Sequence, residues 1–172
     1  DDEARARGVS VYLTDRVIPM LPPRLSAGLC SLLQGEDRLA RTAFIDYDAA
    51  GNVLGGEVVA SVIHCQCSLS YEEAWVIMQD KQSTHARAKS LHAMHEFSAL
   101  LRRRRFENGS LDFNFPETRV KLGENGEPEK IVQRRGDPSH WLIEEFMIAA
   151  NEFTGTKLAR AGLGIWRIHE PP

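Results

Sequence analysis

The residues with the clearest potential for chemistry are four groups of closely spaced carboxylates. They are Asp1-Asp2-Glu3, Asp46 with Asp48, Glu72-Glu73 and Glu144-Glu145. Carboxylate oxygens are ligands that Mg²⁺ prefers, but metal-assisted hydrolysis of a phosphodiester needs a tight cluster of them, and no group supplies four. Asp46 and Asp48 lie beside a predicted turn, where we expect solvated carboxylates. These groups therefore predict no metal site within the chain.

A second candidate for chemistry is the run His64-Cys65-Gln66-Cys67. In a strand, Cys65 and Cys67 face one side and His64 faces the other. A closed zinc site needs four ligands, usually in two spaced pairs, and the sequence offers no second pair. We expect the two cysteines to act as small buried hydrophobic residues. The alternative is that the chain is a metal-binding α/β domain whose metal site is centred on this run.

Four consecutive arginines, Arg102–Arg105, form the third candidate and end a predicted helix. Positive side chains complement the negative C-terminal end of a helix, so a solvated helix end explains them. Guanidinium groups also match phosphate oxygens, which favours a contact with a nucleic acid backbone. The sequence leaves both interpretations open.

The Glu144-Glu145 pair lies in the most clearly marked element, a helix over Asp137–Asn151. Asp137 suits the N-cap, and Pro138 suits the first helical position. An apolar stripe at helical spacing predicts that the helix packs against a core; it comprises Ile143, Phe146, Met147 and Ala150, continued by Leu158 and Ala161. At least one of the two glutamates must then lie near the edge of the buried stripe.

The other predicted elements alternate between helix and strand. Arg16–Leu32 carries three prolines and forms no single regular element, although we expect Leu25, Leu29 and Leu32 to be buried. The predicted helices are Asp1–Arg7 closed by Gly8, Ser70–Asp80 with a capping box, and Thr84–Phe106 with a Leu91, Met94, Phe97 and Leu101 stripe. The predicted strands are Val9–Leu13, Arg41–Asp48, Asn52–Cys67, Leu111–Phe115, Thr118–Leu122, Lys130–Gln133 and Gly164–His169. This order gives a mixed α+β fold of the α/β class.

Length and composition set the broad class. The 172 residues suffice for one domain, and the 42% hydrophobic and 26% charged content is ordinary for a soluble globular protein. No run of about 18 apolar residues is present, so we expect no membrane span. Three cysteines and an N-terminal DDEARARG without signal-peptide character favour a reducing cytoplasm. The net charge of −3 does not favour nucleic acid binding, so any RNA contact must be local.

Three long stretches resemble the RNB catalytic domain of the ribonuclease II/RNase R family. They are RGVSVYLTDRVIPMLPPRLSAGLCSL, LRRRRFENGSLDFNFPE and HWLIEEFMIAAN, and they occur in the family's order from about Glu3 to His169. SLDFNFPE and RIHEPP are closer to the RNase R branch. The resemblance implies an RNB-type domain in which a mixed sheet is packed by long helices.

The same resemblance implies a function. It is that of a processive 3′→5′ exoribonuclease that uses Mg²⁺ to hydrolyse single-stranded RNA to nucleoside monophosphates. The family's two base-stacking aromatics match Tyr12 and Phe113, and its ribose-contacting acid matches Glu144. Aromatic faces hold any base by stacking, and a carboxylate that accepts from a 2′-OH distinguishes RNA from DNA. Glu145 is left with a solvated or structural role.

The family's catalytic groups have no match in this chain. Its metal-holding aspartates lie in a D-x-x-D-x-D-D motif upstream of Asp1, and its cleavage-aiding arginine lies in an R-R-Y motif downstream of Pro172. We therefore expect residues 1–172 to be part of a single RNB-like domain truncated at both ends, which holds RNA but binds no metal and contains no catalytic residue. The expected parent is a monomeric cytoplasmic enzyme whose remaining parts contact this segment. The alternative is a degenerate, non-catalytic homologue that binds RNA or a protein partner.

Overall fold

The computed structural model describes residues 2–111, 115–123, 125–134 and 136–165, which divide into two compact units. The first unit comprises Asp1–Ala40, Val62–Leu69 and Asp112–Gly136. The second comprises Arg41–Ser61, Ser70–Leu111 and Asp137–Pro172. The expectation of a single domain stays a prediction.

The first unit begins with a short helix and a small hairpin. Helix α1 (Asp2–Arg7) ends at Gly8, whose φ of +69° is the left-handed conformation typical of helix ends. Strand β1 (Val11–Tyr12) pairs antiparallel with β2 (Val17–Ile18). The predicted helix end and the predicted strand at Val9–Leu13 are therefore confirmed, although the strand is only two residues long.

The proline-rich loop contains a π-helical turn, Arg24–Leu29, and no longer regular element. The expectation that Leu25, Leu29 and Leu32 are buried is wrong, because all three are exposed. Hydrogen bonds to the loop backbone supply local support instead: Arg38 Nε donates to the Ser31 carbonyl at 2.9 Å and to the Gly28 carbonyl at 3.3 Å. Polar contacts hold the loop where the leucine pattern predicted apolar packing.

A long hairpin contributes to both units. Strands β3 (Asp37–Tyr47) and β4 (Val53–His64) form a two-stranded sheet, and their tip belongs to the second unit. Asp48 forms the turn by accepting hydrogen bonds from the backbone N–H groups of Ala50 and Asn52. Both strands were predicted, but β3 begins at Asp37 rather than Arg41, and β4 ends at His64 rather than Cys67. Beyond His64 the chain is irregular, and Gln34 Oε1 accepts a hydrogen bond from Ser68 N at 2.8 Å.

A second pair of strands lies in the first unit. Strand β5 (Glu117–Leu122) pairs antiparallel with β6 (Pro128–Arg134), as predicted to within two residues at each end. Leu111 and Phe115 lie outside any strand, and residues 112–114 and 166–169 of two other predicted strands fall outside the described residues.

Three helices dominate the second unit. Helix α2 (Tyr71–Gln79) begins with the predicted capping box, in which Ser70 Oγ accepts from Glu73 N and Glu73 Oε2 accepts from Ser70 N. Helix α3 (Ala88–Glu107) starts later than Thr84 and ends shortly before Gly109. Helix α4 (Pro138–Arg160) has Asp137 as its N-cap, as predicted, and runs well past Asn151. The three helices pack against one another.

The buried face of α4 differs from the predicted stripe. Ile143, Met147, Leu158 and Ala161 are exposed, while Ser139, Leu142 and Glu145 are buried. The apolar pattern was misleading because it placed a glutamate at most near the edge of the buried face, whereas Glu145 lies within that face and is neutralised by charges of the same unit. Helix α3 shows the same effect: Met94 is exposed and Ser98 is buried.

The mixed α and β class is confirmed. Within the described part of the chain, the strands form three separate antiparallel pairs rather than one mixed sheet. No helix among the described residues is long and apolar enough to cross a membrane.

Candidate functional site

The centre of the candidate site is the buried carboxylate of Glu145. Its side chain is only 2% exposed, although it belongs to a charged residue within α4. A buried carboxylate is strongly unfavourable unless it is paired and hydrogen-bonded. Two arginines of α3 supply that pairing.

Arg105 forms the closer contact with Glu145. Its Nη2 donates to Glu145 Oε1 at 2.6 Å, and its Nε lies 3.2 Å from both carboxylate oxygens. The hydrogen bonds to Glu145 raise the pKa of Arg105 above its ordinary value, and the charge of Glu144 adds to that effect. A planar guanidinium fork matches a carboxylate in this way, and such charge-assisted pairs are among the stronger hydrogen bonds in proteins.

Arg102 supports the same carboxylate from one turn earlier in α3. Its Nη1 lies 3.4 Å from Glu145 Oε1. Its guanidinium carbon lies 4.8 Å from the Phe106 ring centroid and 4.6 Å from that of Trp141. Cation–π contacts of this kind stabilise an arginine that is withdrawn from water.

Glu144 lies beside this buried pair but faces outward, with 45% of its side chain exposed. Arg105 Nη2 also donates to Glu144 Oε1, at 2.8 Å. Glu144 Oε2 lies 3.8 Å from Arg102 Nη1, which is longer than a hydrogen bond. The predicted ribose-contacting acid is therefore a half-exposed carboxylate anchored on one oxygen.

The other two predicted RNA contacts are Tyr12 and Phe113. Tyr12 is in the first unit, at the end of β1, with a residue exposure of 79%. A tyrosine this exposed presents its ring to solvent, as stacking requires. Phe113 lies outside the described residues. The roles of Tyr12, Phe113 and Glu144 stay predictions.

The arginine run does not act as one group. Arg102 and Arg105 point inward to the glutamates, so a solvated helix end does not describe them. Arg103 is 68% exposed, and 3.9 Å separates it from Glu107 one turn further along. Arg104 donates to Asn52 Oδ1 at 2.6 Å and lines a cavity of about 670 Å³. The phosphate-contact interpretation stays a prediction.

That cavity lies within the second unit and has mixed charge. Lys157 and Arg160 line it together with Arg104 and Arg105, opposed by Glu145 and Glu152. Lys157 Nζ donates to the Gly56 carbonyl at 2.9 Å, close to the Phe153 ring. Burial raises the pKa of Tyr47 in its wall, and Glu152 adds to that shift.

The His64–Cys67 run offers no ligand set. His64 Nδ1 lies 2.6 Å from Asp37 Oδ1, and Cys65 Sγ contacts the Cys67 carbonyl at 3.7 Å. Both cysteines are free and half-buried, less buried than predicted. Among the residues that the structure describes, no three His, Cys, Asp or Glu side chains are grouped as metal ligands.

Comparison with solved structures defines the class to which this fold belongs. Ribonuclease R of Mycoplasma genitalium, solved in complex with ribose-methylated single-stranded RNA, matches 100% of this chain with a TM-score of 0.89 and 28% identity. The match covers 28% of that protein. The fold thus resembles part of that ribonuclease R.

The chain belongs to the RNB domain family, whose model matches residues 1–172. Ribonuclease R of Aquifex aeolicus is 38% identical over the whole chain, and ribonuclease R of Thermotoga maritima is 40% identical. The chain spans about a quarter of each of these relatives (25%). The resemblance inferred from the motifs is confirmed.

Sequence reasoning missed Arg102 and Arg105 as partners of the two glutamates. The residue spacing in both helices contained a signal of this contact. Arg102 and Arg105 are three residues apart and so share one face of α3. Ser139, Leu142 and Glu145 have the same spacing on α4, which makes that face an alternative to the apolar stripe.

Proposed function

We propose that this chain is the RNA-holding segment of a parent protein that degrades single-stranded RNA from its 3′ end and releases nucleoside monophosphates. One observation carries the proposal. The family model and the likeness to an RNA-bound ribonuclease R both cover the chain from end to end.

Three residues are proposed to hold the RNA. Tyr12 and Phe113 stack on bases, which every nucleobase permits because each has a π-face. Glu144 accepts a hydrogen bond from a ribose 2′-OH, a group that DNA lacks. The exposure of Tyr12 and Glu144 supports these roles, because both side chains are accessible to a ligand.

The chemistry of cleavage is proposed to lie outside this segment. Mg²⁺ in such an enzyme stabilises the charge that develops on a phosphodiester and activates the attacking water. The described residues do not fit that ion, since they contain no group of three candidate ligands. We therefore propose that other parts of the parent hold Mg²⁺, and that the isolated chain does not cleave RNA.

The oligomeric state and the localisation of the parent protein are proposed from the sequence. We propose a monomeric enzyme of the cytoplasm in which this segment contacts the remaining parts of the same domain. Exposed leucines of the proline-rich loop, Leu25, Leu29 and Leu32, supply apolar surface suited to such contacts.

The experiment compares the parent protein with the isolated chain. Both are incubated with oligoadenylate and Mg²⁺, and soluble products are separated by chromatography. Release of adenosine monophosphate by the parent but not by the chain supports the proposal. Release by the isolated chain contradicts the assignment of the chemistry to other parts.

The alternative is a homologue that binds RNA or a protein but does not cleave. It predicts that the parent binds oligoadenylate with Mg²⁺ present while the oligomer keeps its full length. The same incubation, analysed by binding and by product release, therefore distinguishes the two functions.

A further inference from the structure

We propose that Arg105, anchored by the buried Glu145, is a positioning residue that orients the Glu144 carboxylate toward a ribose 2′-OH. This inference rests on the proposed ribose contact of Glu144. It adds Arg105 to the residues that determine sugar specificity, although Arg105 acts through Glu144 and does not itself contact the sugar.

The first step concerns the anchor. Glu145 is buried on α4, and Arg105 binds it with Nη2 at 2.6 Å and with Nε at 3.2 Å. The bidentate contact restricts both the position and the plane of the guanidinium group. Arg102 adds a third donor to the same carboxylate at 3.4 Å. Arg105 is consequently held as a fixed donor at the surface of the α3–α4 contact.

The second step concerns Glu144. The same Arg105 Nη2 that binds Glu145 also binds Glu144 Oε1 at 2.8 Å. Oε1 therefore already accepts one charge-assisted hydrogen bond, whereas the cation beside Oε2 among the described residues is Arg102, at 3.8 Å. An ionised carboxylate only accepts hydrogen bonds, so Oε2 is the less engaged oxygen for a hydroxyl donor.

The third step concerns the choice of arginine. A guanidinium group presents several N–H donors in a fixed plane, so it can bind Glu145 through Nε and Nη2 while Nη2 also reaches Glu144. A lysine ammonium is a compact charge on a flexible stem and does not fix the plane of either carboxylate. Replacing Arg105 by lysine retains the charge and removes the orientation.

The experiment measures how strongly the parent protein discriminates between sugars. Two oligoadenylates are compared, one entirely of ribose and one with a single 2′-deoxyribose at the nucleotide that meets Glu144. The variants are Arg105→Lys and, as a matched control, Arg103→Lys on the exposed side of the same helix. We expect Arg105→Lys to lower the ribose preference by about tenfold, the effect of a lost hydrogen bond to a charged group, and Arg103→Lys to leave it unchanged.

The possible outcomes separate this inference from the proposed function. If Glu144→Gln lowers the preference but a folded Arg105→Lys does not, the positioning role is wrong and the ribose contact stands. If wild type shows no ribose preference, the ribose contact fails together with this inference. Should Arg105→Lys melt at a much lower temperature than wild type, Glu145→Gln provides the test instead, and an unchanged preference in that variant overturns the positioning role.

Discussion

The Arg105 guanidinium lies 2.6 Å from the Glu145 carboxylate, which is 2% exposed, and this ion pair joins α3 to α4. The pair explains why Ser139, Leu142 and Glu145 form the buried face of α4 while Ile143 and Met147 remain exposed. It also brings a positive charge next to Glu144, the residue that we propose to contact ribose.

The first prediction concerns the stability of this ion pair. Glu145→Ala removes the buried carboxylate that Arg105 and the partly buried Arg102 both contact, and breaking a buried pair costs about 3–5 kcal/mol. We expect a loss of that order in the free energy of unfolding, measured by urea denaturation. Glu107→Ala is the matched control, since Glu107 is exposed and pairs with Arg103 at 3.9 Å, so its loss should stay below about 1 kcal/mol. Equal losses of unfolding free energy in the two variants would contradict a stabilising role of the buried ion pair.

The second prediction concerns the close approach of the hairpin backbone at Gly56. Its φ is +149°, and a Cβ there would overlap the Phe44 carbonyl oxygen and lie 3.0 Å from the Phe153 ring. Gly56→Ala must shift backbone or strain φ, at about 1–3 kcal/mol for each effect. Thermal denaturation should show a clearly lower Tm. Gly55→Ala, where nothing lies within 4 Å of the new Cβ, is the control and should melt within a few degrees of wild type.

The third prediction concerns pH and the N-cap of α4. Burial opposes ionisation of Asp137, but hydrogen bonds from Ser139 and His140 outweigh it and lower the pKa of the carboxyl group below its usual range. The charged form therefore stabilises the fold above the ordinary value of about 3.9, and this contribution disappears as the pH falls through the lowered pKa.

Asp137→Asn keeps a capping side chain and removes the charge, so it isolates that contribution. The difference in unfolding free energy between wild type and variant should be largest near neutral pH and should approach zero in strong acid. Urea denaturation across this range measures it. A difference that does not change with pH would contradict the role of the charge, while Asp137→Ala should cost about 1 kcal/mol through loss of the cap itself.

The fourth prediction concerns the two aromatic residues. Tyr12→Ala and Phe113→Ala in the parent protein should each weaken binding of single-stranded RNA by about 1–3 kcal/mol, the value of one base–aromatic stack. Fluorescence anisotropy with labelled oligoadenylate measures the affinity. Tyr12→Phe keeps the ring and should bind like wild type. Unchanged RNA affinity in both alanine variants would show that these aromatic residues have structural roles and do not stack on bases.

Local signals allowed much of the fold to be predicted from the sequence. The Ser70 capping box, the Asp137 cap and the hairpin turn at Asp48 each depend on a few adjacent residues, and all three were found where their patterns indicated. The helix ends after Arg7 and before Gly109 were also predicted from a few adjacent residues.

Features that depend on distant partners were not predicted. Whether Glu145 is buried is decided by Arg105, which is 40 residues away in the chain, and periodicity within α4 contains no information about that partner. The exposure of Leu25, Leu29 and Leu32 likewise depends on what the loop meets rather than on its own pattern. The proposed functional roles came from the motifs alone, and the structure adds Arg105, the side chain that donates to Glu144.

The most direct test of the central claim follows the direction and the sugar dependence of degradation together. Oligoadenylate labelled at its 5′ end and carrying one internal 2′-deoxyadenosine is incubated with the parent protein and Mg²⁺, and its length is followed on a gel. The account predicts shortening by single nucleotides from the 3′ end, with a pause when the deoxyribose reaches Glu144. Immediate release of labelled mononucleotide, internal cleavage or an oligomer of unchanged length would contradict it.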